Sequence, residues 1–115
     1  MSGIYIMIYN WVVIRVIIHP NVESFIKDLE TSTITKGLRY IDLLEKFTFN
    51  LREPYSKKIG DNMFELRIQG KQEIRIFYTF MSGEISLIHG FVKKTQKTPS
   101  SEILIAKMII KKLTV

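Results

Sequence analysis

The chain has 115 residues, with 17 Lys/Arg against 11 Asp/Glu for a formal net charge of +6, and no cysteine. That length suits one domain with an ordinary hydrophobic core, and the missing cysteine excludes disulfides, thiolate catalysis and Cys-based zinc sites. The excess positive charge favours an anionic partner, either nucleic acid or an acidic protein.

Residues 4–18 are strongly apolar, broken by Asn10 and Arg15. A membrane-spanning helix needs about 20 such residues. A secretory leader needs basic residues before the apolar run and small ones after it, where this chain has His19-Pro20-Asn21. The run therefore reads as a strand over residues 9–18, rich in Val, Ile, Trp and Tyr, with no membrane role and a cytoplasmic location expected. Pro20 and Asn21 stop it and start a helix with the apolar stripe Val22, Phe25, Ile26 and Leu29. Thr31-Ser32-Thr33 predicts a break rich in capping hydroxyls. Ile34, Leu38, Ile41, Leu44 and Phe47 then mark a second helix, and residues 50–60, with Pro54 inside, read as a loop.

Residues 63–98 organise the chain. Apolar runs separated by Gln69-Gly70-Lys71-Gln72 and Ser82-Gly83-Glu84 predict an antiparallel meander with strands near 62–69, 72–81 and 84–92. Phe64, Leu66 and Ile68 alternate with Glu65, Arg67 and Gln69, and Ile74, Ile76, Tyr78 and Phe80 alternate with Glu73, Arg75, Phe77 and Thr79. The Ile/Tyr/Phe set should take the helical hairpin, leaving Arg67 and Arg75 on the opposite face. After the sheet, Thr98-Pro99 predicts a cap and an N1 proline, with Glu102 in the first turn. Ile103, Ala106, Ile110 and Leu113 form one stripe of this last helix, and Leu104, Ile105, Met108 and Ile109 extend apolar surface to other sides. Such a helix calls for a protein partner or a deep seat in the core. The expected fold class is α+β: two N-terminal helices packed on a twisted antiparallel sheet with a C-terminal helix. It forms a single domain over residues 1–115, in which 1–19 are either a strand or an extension.

Several segments together resemble a known family. They are Phe64-Glu65-Leu66-Arg67, Arg75-Ile76-Phe77-Tyr78, Leu87-Ile88-His89-Gly90-Phe91-Val92-Lys93-Lys94-Thr95, and Thr98-Pro99 with Glu102-Ile103 and Ala106. In order and spacing they resemble the HigB-type, phage-derived branch of the RelE/ParE toxin superfamily, and Val22-Glu23-Ser24-Phe25-Ile26 and residues 54–59 also fit. The first twenty residues depart from the family's usual opening strand. The resemblance implies a small RelE/ParE-like toxin with a mobile C-terminal segment, acting as a ribosome-dependent, metal-independent mRNA endoribonuclease. It further implies restraint by a cognate antitoxin, usually a helix-turn-helix protein, and no cofactor. A gyrase-inhibiting ParE-like toxin and a non-catalytic nucleic-acid or protein-binding module are the alternatives, since one fold hosts several functions.

RNA cleavage of this kind needs the 2′-hydroxyl deprotonated, charge on the phosphorane stabilised and the leaving 5′-oxygen protonated. Arg67 and Arg75 suit the non-bridging phosphate oxygens; the bland alternative is an ion pair with Glu65 or Glu73. Of Lys93 and Lys94, one is expected to contact phosphate and the other to donate or accept a proton. His89 titrates in the useful range, yet sits in an apolar run where a structural role is as good. Phe77 and Phe91 are candidate stacking platforms for bases; Tyr78 could stack a base or relay a proton, but its parity with Ile74 and Ile76 says core. Lys57, Lys58 and Lys97 complete the candidate RNA-binding set, and no metal site is expected.

Overall fold

The computed structural model describes residues 14–114, so residues 9–13 of the expected first strand lie outside the described residues. The elements are β1 (Arg15–Ile18), α1 (Pro20–Lys27), α2 (Thr31–Phe47), a 3-10 turn (Thr48–Asn50), β2 (Ser56–Gly60), β3 (Met63–Gln69), β4 (Glu73–Met81), β5 (Glu84–Val92) and α3 (Ser100–Leu113). The strands form one sheet in the order β1-β5-β4-β3-β2. Among the described residues, no helix is long and apolar enough to cross a membrane.

The meander falls where alternation and turn glycines put it. At the β4–β5 turn Ser82 and Gly83 both have positive φ, 52° and 75°, the backbone twist that suits two-residue hairpins. The β2–β3 turn is pinned by Asn62, whose side-chain amide exchanges two hydrogen bonds with the backbone of Phe80 on β4.

Two expectations change at the sheet edges. β2 lies inside the stretch read as a loop; its register with β3 shifts between Lys58 and Gly60, so it shows no clean period of two. At the other edge β1 runs parallel to β5, pairing Arg15 with Glu84 through Ile18 with Leu87. The sheet is therefore mixed rather than antiparallel. Parallel neighbours need a crossover connection, and here everything from α1 to β4 separates the two strands in sequence.

The helix starts also differ in detail. Pro20 is the first helical residue of α1, and Asn21 Nδ2 donates to the Ile88 carbonyl at 2.8 Å, tying the helix to β5. α2 starts at Thr31 after Glu30, so Thr31-Ser32-Thr33 forms its first turn instead of the break. α3 starts at Ser100, which makes Pro99 the flanking residue and not N1, and leaves the Thr98 hydroxyl free for another use.

The sheet is apolar on both faces. One face carries Leu66, Ile68, Ile74, Ile76, Tyr78, Ile85 and Leu87 against Val22 and Ile26 of α1 and Ile41 and Leu44 of α2, as alternation requires. The other face carries Met63, Phe77, Ile88 and Phe91 beneath Ala106 of α3, with Ile103, Ile109 and Ile110 packed around them. A bulge makes this second cluster possible. Tyr78 pairs with Leu87 while Phe77 pairs with His89, leaving Ile88 unpaired between them. The extra residue turns both Ile88 and His89 toward α3.

Candidate active site

The polar face of β3 and β4 beyond α3 holds a cluster of buried charge. Arg67 and Arg75 are direct cross-strand partners, as are Glu65 and Phe77. Like charges placed opposite each other destabilise a sheet, and a carboxylate resolves the conflict. Glu65, fully buried, accepts from Arg67 Nε at 3.0 Å, and its Oε1 lies 3.4 Å from Arg75 Nε. Its second oxygen accepts the Thr98 hydroxyl at 2.5 Å, which pins the segment between β5 and α3 across the cluster. Arg75 Nη1 donates to Glu73 Oε2 at 3.2 Å and to the Ile74 carbonyl at 3.1 Å. Arg75 Nε is buried with no hydrogen-bond acceptor in line, so its contact with Glu65 is one of charge.

Burial separates the two arginines. The Arg67 side chain is 21% exposed and the Arg75 side chain 5%. Both ion pairs weighed as the bland alternative are formed: the Glu65 pair is buried and shared between the two arginines, while Glu73 is partly exposed and pairs with Arg75 alone. An ion pair of this sort owes its stability to geometry and to satisfied hydrogen bonds, since removing one partner strands a buried charge.

Around this neutralised centre the open surface is basic. A depression of about 420 Å³ is lined by Lys57, Lys58, Arg67, Lys93 and Lys97, with Glu65 the one carboxylate among its lining residues. A second, of about 500 Å³, adjoins it and is lined by Glu73, Arg75, Lys93, Lys94, Thr95 and Gln96. The two share Lys93 and Gln96 and so form one continuous trough along the rim. The Lys93 backbone N–H donates to the Glu73 carbonyl at 2.7 Å, which carries the ladder one residue past β5 and fixes the lysine pair. No salt bridge among the described residues involves Lys57, Lys58, Lys93, Lys94 or Lys97. The net positive field of the trough therefore comes from lysines, while the arginines are held in place by carboxylates.

Seven of the eleven sequence-selected residues meet here: Lys57, Lys58, Arg67, Arg75, Lys93, Lys94 and Lys97. The other four do not. His89 lies beyond the trough, its Nε2 2.9 Å from Glu102 Oε1 of α3. Phe77 and Phe91 are buried under α3, with no free ring face for a base. Tyr78 is on the opposite face of the sheet, buried among the residues packed on α1 and α2 and hydrogen-bonded to the Ser56 hydroxyl. Its phenol pKa is raised by burial, with the Ser56 hydrogen bond acting weakly the other way. Alternation carried the Tyr78 result; covering of the aromatic pair by α3 was not visible in the strands themselves. Glu65 and Thr98 are the residues sequence reasoning undervalued, one as a mere ion-pair partner and the other as a helix cap. A lone Glu in the middle of an apolar strand was the available signal.

Among the described residues no group of three or more His, Asp or Glu could hold a metal ion.

Residues 24–111 match the family model described as phage-derived protein Gp49-like (DUF891), and the chain belongs to that family. Among solved structures, a chain of the archaeal RelE–RelB complex from Pyrococcus horikoshii OT3 is similar, with a TM-score of 0.50 at 18% identity, covering 75% of this chain and 99% of that one. The fold is thus RelE-like. No curated protein matches the chain.

Proposed function

We propose that this chain is the toxin of a type II toxin–antitoxin module, of the HigB kind, and that it cleaves mRNA on the ribosome. The observation that carries the reading is the lysine-lined trough around Arg67, built on a RelE-like fold in a Gp49-like chain. Lysine density draws in the RNA backbone by releasing condensed counterions. Arg67, oriented by Glu65, meets the non-bridging oxygens of the scissile phosphate and stabilises the charge that grows there. The 2′-hydroxyl gives its proton to solvent water, and its oxygen forms a bond to phosphorus as the bond to the 5′-oxygen breaks, giving a 2′,3′-cyclic phosphate and a free 5′-hydroxyl. Lys93 or Lys94 supplies the proton to the leaving oxygen. Arg75 acts behind Arg67, holding Glu65 and lining the second half of the trough.

The one carboxylate lining the first depression, Glu65, is committed to Arg67, Arg75 and Thr98. Glu73, which lines the other half of the trough, is engaged by Arg75, so both carboxylates of the trough are ion-paired, which fits chemistry completed only when the ribosome orients the message. One similar solved structure is a RelE–RelB complex, and by analogy a cognate antitoxin covers α3, whose Leu104, Ile105, Met108 and Leu113 are exposed.

Controlled expression followed by primer extension on a translated reporter tests the reading, repeated with translation initiation blocked. Cuts that appear only during translation, and vanish in Arg67→Ala, support it. Growth arrest with intact mRNA would replace it with a gyrase-directed toxin.

A further inference from the structure

A second feature sits across the β2 edge from the trough. Phe49, in the 3-10 turn after α2, is 64% exposed, unusual for a phenylalanine held in a fixed position. Its inner face stacks on Phe80 with ring centroids 4.2 Å apart, and Phe80 meets Phe64 edge-on at 5.3 Å. Lys58 places its ammonium 6.0 Å from the Phe64 ring centroid. Phe49, Phe64, Arg52 and Lys58 line a depression of about 340 Å³, within the size range of small-molecule sites, which starts at about 300 Å³. Glu53 is the one acid among its lining residues, and it already lies 3.8 Å from Arg67.

This depression is continuous with the trough. Lys57 and Lys58 line both, because successive residues of an edge strand point to opposite faces. Lys57 pairs with Glu65 and Lys58 with Phe64, so one lysine faces each side. A positively charged track bordered by an exposed ring is the arrangement that single-stranded nucleic acid uses, the backbone following the cations and a base stacking on the aromatic face. A protein partner for a patch ringed by Arg52, Lys57 and Lys58 would have to be acidic, whereas the exposed ring beside the cations is what a nucleic-acid base uses.

We propose that Phe49 is a base-stacking platform for single-stranded RNA that leaves the trough, passes over Lys57 and Lys58 and continues on the helix side of the sheet. The inference rests on the RNA-directed reading above and adds a subsite to it. The stacked segment is message or ribosomal RNA, which offer the same chemistry.

Anisotropy of fluorescein-labelled oligouridylate with the purified full chain at low salt is the test. Phe49→Ala weakens binding about tenfold or more, the loss expected for one stacked base. Phe49→Trp restores it, and its new indole fluorescence is quenched by RNA. Arg52→Ala, at an exposed position, weakens binding independently of any change at the ring. Unchanged affinity in Phe49→Ala, with weakened affinity in Lys93→Ala, overturns the subsite and leaves the trough standing. No binding by wild type overturns the subsite, while translation-dependent cleavage separately decides the activity. On programmed ribosomes, photo-crosslinking from position 49 to message or to ribosomal RNA identifies the source, and crosslinks to protein alone overturn the proposal.

Discussion

Arg67 and Arg75 stand opposite each other on neighbouring strands, and one buried carboxylate, Glu65, contacts both. Two cations at that separation repel, so Glu65 keeps the sheet face intact while presenting a partly exposed guanidinium to the trough. The prediction is that Glu65→Gln destabilises the fold by about 3 kcal/mol, the usual cost of removing one member of a buried charged cluster. Urea denaturation should show a lower midpoint with an unchanged slope.

Activity and stability should separate in mutants of the arginines. Arg67→Ala should lower cleavage about 10²–10³-fold, the effect of losing one charge-stabilising donor, and should also lower the midpoint of unfolding, because it removes the hydrogen bond to the buried Glu65 carboxylate; Arg67→Lys, which keeps the charge, should recover more of the stability than of the activity. Arg75→Ala should lose activity and also stability, because it removes a buried side chain and one of the two cations facing the buried Glu65. Unfolding curves measured beside activity distinguish the two effects.

Tyr78 gives a pH signature. Burial raises its pKa in the folded state above the ordinary value of 10.0, so the unfolded chain releases that proton first. The stabilising contribution is complete below pH 10 and is lost as pH rises from there through the folded-state pKa. Tyr78→Phe should abolish that part of the alkaline loss and cost about 1 kcal/mol at neutral pH through the missing Ser56 bond. Cleavage should be unaffected, since the ring lies on the other face. Thermal melts across the alkaline range read both effects.

Gly90 is a packing position. A Cβ there would lie 2.5 Å from the Phe25 ring, whereas one at Gly37 would meet ordinary contact at 3.5 Å. Gly90→Ala should cost about 1–3 kcal/mol by overpacking, and Phe25→Leu should recover part of it. A double-mutant cycle measures the coupling.

On α3, Leu104→Glu with Met108→Glu should abolish binding of the antitoxin proposed above while leaving the thermal midpoint close to wild type, because both side chains are exposed. Co-purification of the two proteins checks it.

The meander was legible because period-two alternation and Gly70 and Gly83 act locally. The helical hairpin and its burial against the Ile/Tyr/Phe face followed from the same periodicity. What stayed hidden depends on contacts distant in sequence. β2 carries Lys-Lys at an edge and a register shift, so no alternation marks it. The parallel seat of β1 is a property of strand order, which hydropathy does not encode. The seven cations of the trough were found by charge and by family likeness together. The loss of Phe77, Phe91 and His89 from it came from the β5 bulge and from α3 docking over the bulged face. The residues that come together at the trough are thus those that no helix covers, and the ones that drop out are those that α3 or the helical hairpin covers.

The most direct measurement is cleavage by the purified chain of a defined mRNA, with and without ribosomes translating it, mapped at nucleotide resolution. Cuts are expected within the translated region only when ribosomes are present, with 5′-hydroxyl ends at those cuts and their loss in Arg67→Ala. Intact message on translating ribosomes, from protein that is folded and free of antitoxin, would contradict the ribosome-dependent cleavage proposed above.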